Sequence, residues 1–223
     1  LERFRPEANV PSLPATERPP VPPNQLHTDI ARWKQLPAAI AEIELFAIKG
    51  NRGKAIQLCE AALQDDPGQP QLLAVLGRLY LQEKRFSDAA ETLHDALRAA
   101  PADLSLRLDL AQACWANGDV KTASEAVAWL LEDAHRSIPA LLLAGQIALA
   151  QNDLDSAAMY YRRVLDVDAK HAVAQRALAD ILYDQDEMEK AIPLYEEIVN
   201  RREADAEIAA KLATAYAQIL VPG

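Results

Sequence analysis

An all-α fold, a stack of paired helices, is what the sequence predicts, and three observations carry the prediction. Alanine recurs at Ala55, Ala89, Ala123, Ala157 and Ala191, 34 residues apart without a slip, and an aliphatic residue follows each by eight positions, at Leu63, Leu97, Leu131, Leu165 and Val199. Twelve positions before each alanine lies a second column, Ile43, Gly77, Ala111, Gly145 and Ala179, continued at Ala213, and after its first member it holds only small side chains. Composition agrees: alanine and leucine abound, while the chain has only seven glycines and three phenylalanines. Alanine and leucine lead the helix scale, whereas strands draw on β-branched and aromatic residues. A fixed period of this length marks an array of supersecondary units.

Taken in chain order, residues 1–25 come first and hold seven of the fourteen prolines, ending in Pro19-Pro20-Val21-Pro22-Pro23. Proline lacks an N–H and fixes φ, so this stretch reads as an extended linker or arm, with a ligand for a proline-recognising domain as the second reading. Amphipathic helix begins at Leu26, first as a segment near Thr28–Leu36. The period then marks five units, 36–69, 70–103, 104–137, 138–171 and 172–205, and a terminal helix over 206–220, within a domain spanning 26–223. Two helices joined by a tight turn pack closely only where a small side chain lets their backbones approach. Glycine or alanine in the first helix and alanine in the second supply that approach. The leucines around them make an apolar stripe too broad for one helix pair to cover, so neighbouring pairs stack.

Leu73, Leu76-Gly77, Tyr80, Ala89, Leu93, Ala96 and Pro101 resemble the tetratricopeptide repeat in identity and spacing. Leu110-Ala111, Leu178-Ala179 and Leu212-Ala213 repeat the first pair, and Tyr161 and Tyr195 take the aromatic place of the second helix. The resemblance covers residues 36–220 and implies a right-handed α-solenoid of helix-turn-helix repeats. Departures from the family pattern carry expectations of their own. Glu42 stands where leucine is usual, which predicts an irregular leading helix. The closing proline, present at Pro67 and Pro101, is His135, Ala169 and Glu203 in later copies, which predicts looser turns there. Pro193 falls inside a second helix, removes a hydrogen bond to the Glu189 carbonyl and predicts a local bend.

The net charge of −10 leaves no basic stripe for a phosphate backbone, so nucleic acid is not an expected partner. No apolar run is long enough to insert directly in a bilayer. The chain opens on Leu1 rather than methionine, which reads as a piece of a longer protein. The cytoplasm is the expected compartment, and the periplasm or a membrane tether through an upstream segment is the alternative. Cys59 and Cys114 fall at inward-facing positions and read as buried small hydrophobes. His27, His94, His135 and His171 lie in different units without the spacing of a helical metal site, and no phosphate loop, nucleophile elbow or dinucleotide fingerprint occurs. Asp184, Asp186, Glu187 and Glu189 lack the glycine and the twelfth-position glutamate of a calcium loop. Asp186 and Glu187 read instead as caps of the following helix. No cofactor, metal or catalytic group is expected.

By the family's register, the first helix of each repeat lines a concave groove that holds a polypeptide. The resemblance carries that role to Leu81, Trp115, Leu149 and Tyr183 in one column and to Arg78, Gln112, Gln146 and Asp180 in a second. Leu108, Leu142 and Arg176 stand beside them. The lysine and asparagine clamp by which some members grip chaperone tails is absent, since Ile40, Glu44 and Ala74 hold its places. Asp180 and Asp184 lie four apart on one helix, so the expected ligand is amphipathic with a basic end toward the fifth repeat. Glu189, Glu196 and Glu197 are expected to point outward. The reading is a non-enzymatic protein-interaction scaffold. Its alternative is the regulatory or recruiting arm of a larger enzyme or membrane-anchored assembly factor, and a third reading has the terminal helix mediate self-association.

Overall fold

The structure is a computed structural model that describes residues 23–220, so most of the proline-rich lead lies outside the described residues. Among the described residues there are eleven helices and no strand. The chain divides into two compact units, Leu1–Glu42 and Ile43–Gly223. Helix α1 spans Pro23–Ile48. It absorbs Pro23–Gln25, which the composition had assigned to the linker, and a proline in the first turn of a helix gives up only an N–H that has no intrahelical partner. It also runs through Pro37, so the separate segment near Thr28–Leu36 and the irregular helix from Leu36 are one element. Alanine, leucine and glutamine or glutamate around Pro37 favour helix strongly enough to carry the backbone past one missing bond.

From Ile43 onward the architecture is a run of antiparallel helix pairs. Helices α2 (Arg52–Asp65), α4 (Phe86–Ala99), α6 (Val120–Asp133), α8 (Leu154–Val167) and α10 (Met188–Asn200) alternate with α3 (Pro70–Gln82), α5 (Leu104–Ala116), α7 (Ile138–Ala150), α9 (Ala172–Asp184) and α11 (Ala206–Leu220). From α3 to α11 each helix packs on the one before it, and the first helices α3, α5 and α7 also touch in succession.

The turn inside each pair has one form. Gly50, Lys84, Gly118, Asn152 and Asp186, again 34 residues apart, all sit at left-handed φ between 58° and 84°. In each turn the next residue's N–H returns to the carbonyl five positions back, as from Arg85 to Tyr80 at 2.9 Å and from Glu187 to Leu182 at 2.8 Å. These are Schellman closures, which satisfy the carbonyls a helix end leaves open. Asn51, Asp119 and Asp153 then cap the second helix, accepting from the amides of Lys54, Thr122 and Ser156. The capping expected of Asp186 and Glu187 does not occur through their side chains. Asp186 is occupied with the left-handed turn, and the longer Glu187 side chain accepts from Lys190 Nζ at 2.7 Å instead.

Between pairs, two of the three turns expected to loosen do not. Ser137 and His171 donate to the carbonyls of Ala134 and Asp168 at 2.8 and 3.1 Å, as Gln69 and Asp103 do beside Pro67 and Pro101. The proline nitrogen takes no part in that bond, so replacing it leaves the closure intact. The third turn does change. Glu203 donates its own N–H to Ile198 O at 3.2 Å, a bond proline could not make, and Arg202 turns left-handed at φ 60°. Pro193 leaves α10 continuous as an element.

The small-residue column works by contact. A Cβ built on Gly77 would meet Leu93 Cγ at 2.5 Å, and one on Gly145 would meet the Tyr161 ring at 2.7 Å. Leu93 and Tyr161 are buried, as is Tyr195 at the equivalent place in α10. In the first pair the sizes exchange: Ile43 is large, and Cys59, at Leu93's position, is small and wholly buried.

Candidate functional site

The residues predicted to line the first-helix face split into two kinds. Arg78, Gln112, Gln146, Leu149 and Asp184 are exposed, whereas Leu81, Leu108, Trp115, Leu142, Arg176, Asp180 and Tyr183 are half-buried. None is sealed in the core, because the small column of each first helix turns toward its own partner helix and this column turns away. Tyr183 and Leu142 nonetheless pack against the core that α7 to α11 share. The Tyr183 ring meets Tyr195 edge-on with centroids 6.4 Å apart, and Lys211 Nζ stands 5.9 Å from its centre.

Apart from Asp184, charge on this face is paired within the protein. At one end Arg78 Nε donates to Asp109 Oδ2 at 2.5 Å, and its Nη2 donates to Ser105 Oγ at 2.9 Å. Burial raises the Asp109 carboxyl above its ordinary value despite the opposing pull of Arg78. At the other end Lys211 Nζ and the Tyr195 hydroxyl both donate to Asp180 Oδ1 at 2.7 Å. Partial burial opposes charge on Lys211, but Asp180 and Glu207 outweigh it and hold its pKa above the usual value. Burial, then the bond to Asp180, raises Tyr195. Arg176 reaches Asp205 at 2.6 Å and Glu207 at 2.9 Å. The carboxylate expected to meet a ligand's basic end, Asp180, therefore already has a cation and a hydroxyl on it. Asp184 is the exposed acid left on that helix face.

The pairing has a register that the sequence reading missed. Arg78 to Asp109 and Asp180 to Lys211 are both separations of 31, joining the same two repeat positions with the signs reversed. Opposite charges 31 apart were the signal: one repeat less three residues sets two side chains on adjoining first helices. In the two intermediate copies these positions hold Gln112 with Leu143 and Gln146 with Ala177. Neither glutamine side chain makes a hydrogen bond within the described residues. Between the paired ends lies an uncharged window of Leu108, Gln112, Trp115, Leu142, Gln146 and Leu149. Of the carboxylates expected to point outward, Glu189 and Glu196 are exposed, but Glu197 accepts at 2.8 Å from Gln175, which is 1% exposed. Among the described residues no cluster of His, Cys, Asp and Glu could hold a metal ion, and no helix is long and apolar enough to cross a membrane.

Family models for the tetratricopeptide repeat match residues 47–103, 81–147 and 142–217. No curated protein sequence matches the chain. Among solved structures, a tetratricopeptide repeat protein from Parabacteroides merdae is similar at 17% identity, covering 83% of this chain and 74% of its own, with a TM-score of 0.69. Pseudomonas aeruginosa pilF is also 17% identical, over 86% of this chain and 95% of its own, at 0.70. YrrB, a tetratricopeptide repeat protein with an unusual peptide-binding site, is 19% identical over 79% and 90%, at 0.65. At these identities the likeness is one of fold.

Proposed function

Because this chain belongs to the tetratricopeptide-repeat family, we propose that it is a protein-interaction scaffold, without catalysis of its own, that holds a partner polypeptide on the first-helix face. The observation that carries the reading is the uncharged window. Gln112 and Gln146 are exposed, their side chains are free of internal hydrogen bonds, and they are flanked by Trp115, Leu108, Leu142 and Leu149. A glutamine side chain offers both a donor and an acceptor, which matches the backbone of an extended peptide. The half-buried Trp115, Leu108 and Leu142 offer the anchor sites that dominate peptide recognition. The partner segment is thus apolar and uncharged at its centre. A basic residue at its end meets Asp184, since Asp180 is held by Lys211 and Tyr195.

The test is selection of binders from a random peptide library on the full chain, followed by anisotropy titrations of the winners. Trp115→Ala and Gln112→Ala with Gln146→Ala are expected to weaken them at least tenfold, about 1.4 kcal/mol. Trp129→Ala, on a second helix, is expected to leave them unchanged. Binders indifferent to all three window substitutions would sink the assignment.

A further inference from the structure

From Tyr80 onward one repeat position recurs five times, at 80, 114, 148, 182 and 216, and only the first and last copies hold tyrosine. Tyr80 of α3 donates its hydroxyl to Glu60 of α2 at 2.8 Å, and Tyr216 of α11 donates its hydroxyl to Glu196 of α10. The copies between hold His94 with Cys114, Ala128 with Ala148, and Arg162 with Leu182. Leu182 is part of the core and fills its place. Cysteine and alanine do not reach as far as a ring, and space opens above both. A cleft of about 390 Å³ lies over Cys114, between α4 and α6, and one of about 120 Å³ lies over Ala148, between α6 and α8. They are one feature repeated: Leu110, Cys114 and Thr122 line the first, and Ala144, Ala148 and Ser156, each 34 residues on, line the second.

We propose that the cleft over Cys114 seats a tyrosine of a basic partner polypeptide, and that the smaller cleft seats an aliphatic side chain of the same segment. The chain's own pairs supply the ring's chemistry. Buried Leu110 and Cys114 give an apolar floor, and His94 stands where Glu60 and Glu196 receive a hydroxyl, a bond that a neutral imidazole also accepts. Charge selects what flanks the ring. Neither cleft is lined by lysine or arginine, whereas Glu91, Asp95 and Asp153 stand at the rims, and Glu91 has no ion-pair partner among the described residues. That rim favours a basic segment and disfavours a second copy of this acidic chain. Two seats in a row call for a polymer. Their floors, α5 and α7, adjoin, so the seats lie about 8–10 Å apart. Residues i and i+3 of a polyproline-type segment are about 9 Å apart and share a face. The chain's own residues 1–22 hold no tyrosine, and their three acidic and three basic residues cancel. Both clefts lie inside the array with a second helix on either side, so no further repeat at its ends would cover them. Leu110 and Cys114 face away from Gln112, two residues from each, and the site is independent of the window.

The probe is a labelled synthetic peptide, Arg-Arg-Tyr-Pro-Pro-Val-Arg, titrated into the full chain by anisotropy. Saturation below about 1 mM is expected. Cys114→Tyr should weaken binding at least tenfold, because the ring then comes from within, as it does at Tyr80, and circular dichroism should show the fold intact. Glu91→Gln with Asp95→Asn, at exposed positions that the fold does not need, should cost about three- to fivefold and flatten the salt dependence. Tyrosine to phenylalanine in the peptide and His94→Ala in the protein should each weaken binding, and the two losses should not add. Gln112→Ala with Gln146→Ala should change nothing, so failure here and failure of the window reading are distinguishable. Lack of saturation by about 1 mM peptide, or binding indifferent to Cys114→Tyr or to the paired acid substitutions, overturns the proposal. So does tighter binding by Phe4→Ala, because the occupant is then this chain's own lead. Displacement by N-acetyltyrosinamide at the peptide's own affinity makes a free phenol sufficient and overturns it too, as does a dimer in sedimentation equilibrium that Cys114→Tyr abolishes.

Discussion

Replacing Gly77 by alanine should destabilise the protein, although alanine is the better helix former, and the sign should reverse when Leu93 is shortened. In an exposed helix the exchange gains about 1 kcal/mol. Here the new Cβ would lie 2.5 Å from Leu93 Cγ and 2.7 Å from its Cδ2. Leu93 is wholly buried, so its branch point has no free space to move into. Overpacking of this kind costs about 1–3 kcal/mol. The net loss for Gly77→Ala is then about 1 kcal/mol. Leu93→Ala alone should cost about 2–5 kcal/mol from lost burial and the cavity left behind. With both changes the clash has no atoms left to make it. Gly77→Ala should then stabilise by about 1 kcal/mol, a coupling of about 2 kcal/mol. Urea titrations followed by far-ultraviolet circular dichroism give the cycle. Amide exchange in α3 and α4 gives it locally, which matters because repeat arrays need not unfold in one step. If Gly77→Ala stabilises the protein with Leu93 intact, or costs the same in both backgrounds, the close-approach account of the small column is wrong.

Other consequences are independent of that column. Lys84→Gly should raise stability by about 0.5–1 kcal/mol, because it removes a side chain from a left-handed backbone at a modest entropic cost. Asn152→Gly should be close to neutral, since asparagine tolerates that region; equal effects in the two turns would contradict the strain argument. The Asp205 carboxyl is held below its usual 3.8 by the Ile208 amide N–H first and Arg176 second. A depressed carboxylate stabilises the fold above its ordinary pKa, and that contribution is lost as pH falls through the lowered value. Exchange protection of α11 should accordingly fall on acidification below the ordinary aspartate range. Asp205→Asn should lower protection at neutral pH and flatten that fall, and an unchanged acid profile refutes the linkage. Burial pushes the Cys59 thiol up to about 12 and raises Cys114 as well, so disulfide reagents should label neither in the native protein and both in urea. Fast native labelling of Cys59 would mean that the α2 pairing opens.

The parts of this fold that were legible in the sequence are those the period forces. Ala55, Ala89, Ala123, Ala157 and Ala191 are all wholly buried, and the second helices begin 34 residues apart from Arg52 to Met188. What escaped was whatever depends on backbone geometry without a characteristic side chain. Lys84 occupies the same left-handed turn as Gly50 and Gly118, yet no residue preference points to it, because the Schellman bonds hold the turn whatever occupies it. The boundary drawn at Leu36 misled in the other direction. Pro37 follows it, but one lost hydrogen bond does not end a helix of 26 residues whose neighbours favour it. The closing prolines were over-read for the same reason, since the bond that closes those turns joins the residues on either side.

The site was legible in its columns and illegible in its pairings, and the difference has a physical cause. Periodicity tells which positions share a face within a helix, whereas the charge clasps run between helices, at a spacing of 31 that mixes the repeat with the helical turn. The two clasps show what stacking requires of that slot. Arg78 with Asp109 and Asp180 with Lys211 fill it with opposite polarity, so adjoining first helices ask for unlike charges and are indifferent to which helix bears which. The intermediate copies show that they do not need charge at all. α5 and α7 adjoin with Gln112 opposite a leucine position, and Gln146 stands opposite an alanine position. A glutamine exposed at such a place gains nothing from the stack, as it has no bond there to lose. Its residue type is therefore free to answer to a ligand, whereas Asp180, a half-buried carboxylate with two donors on one oxygen, answers to the fold. Asp180→Asn weakens the seat of α11 and leaves the window's chemistry as it was, while Gln112→Ala with Gln146→Ala does the reverse.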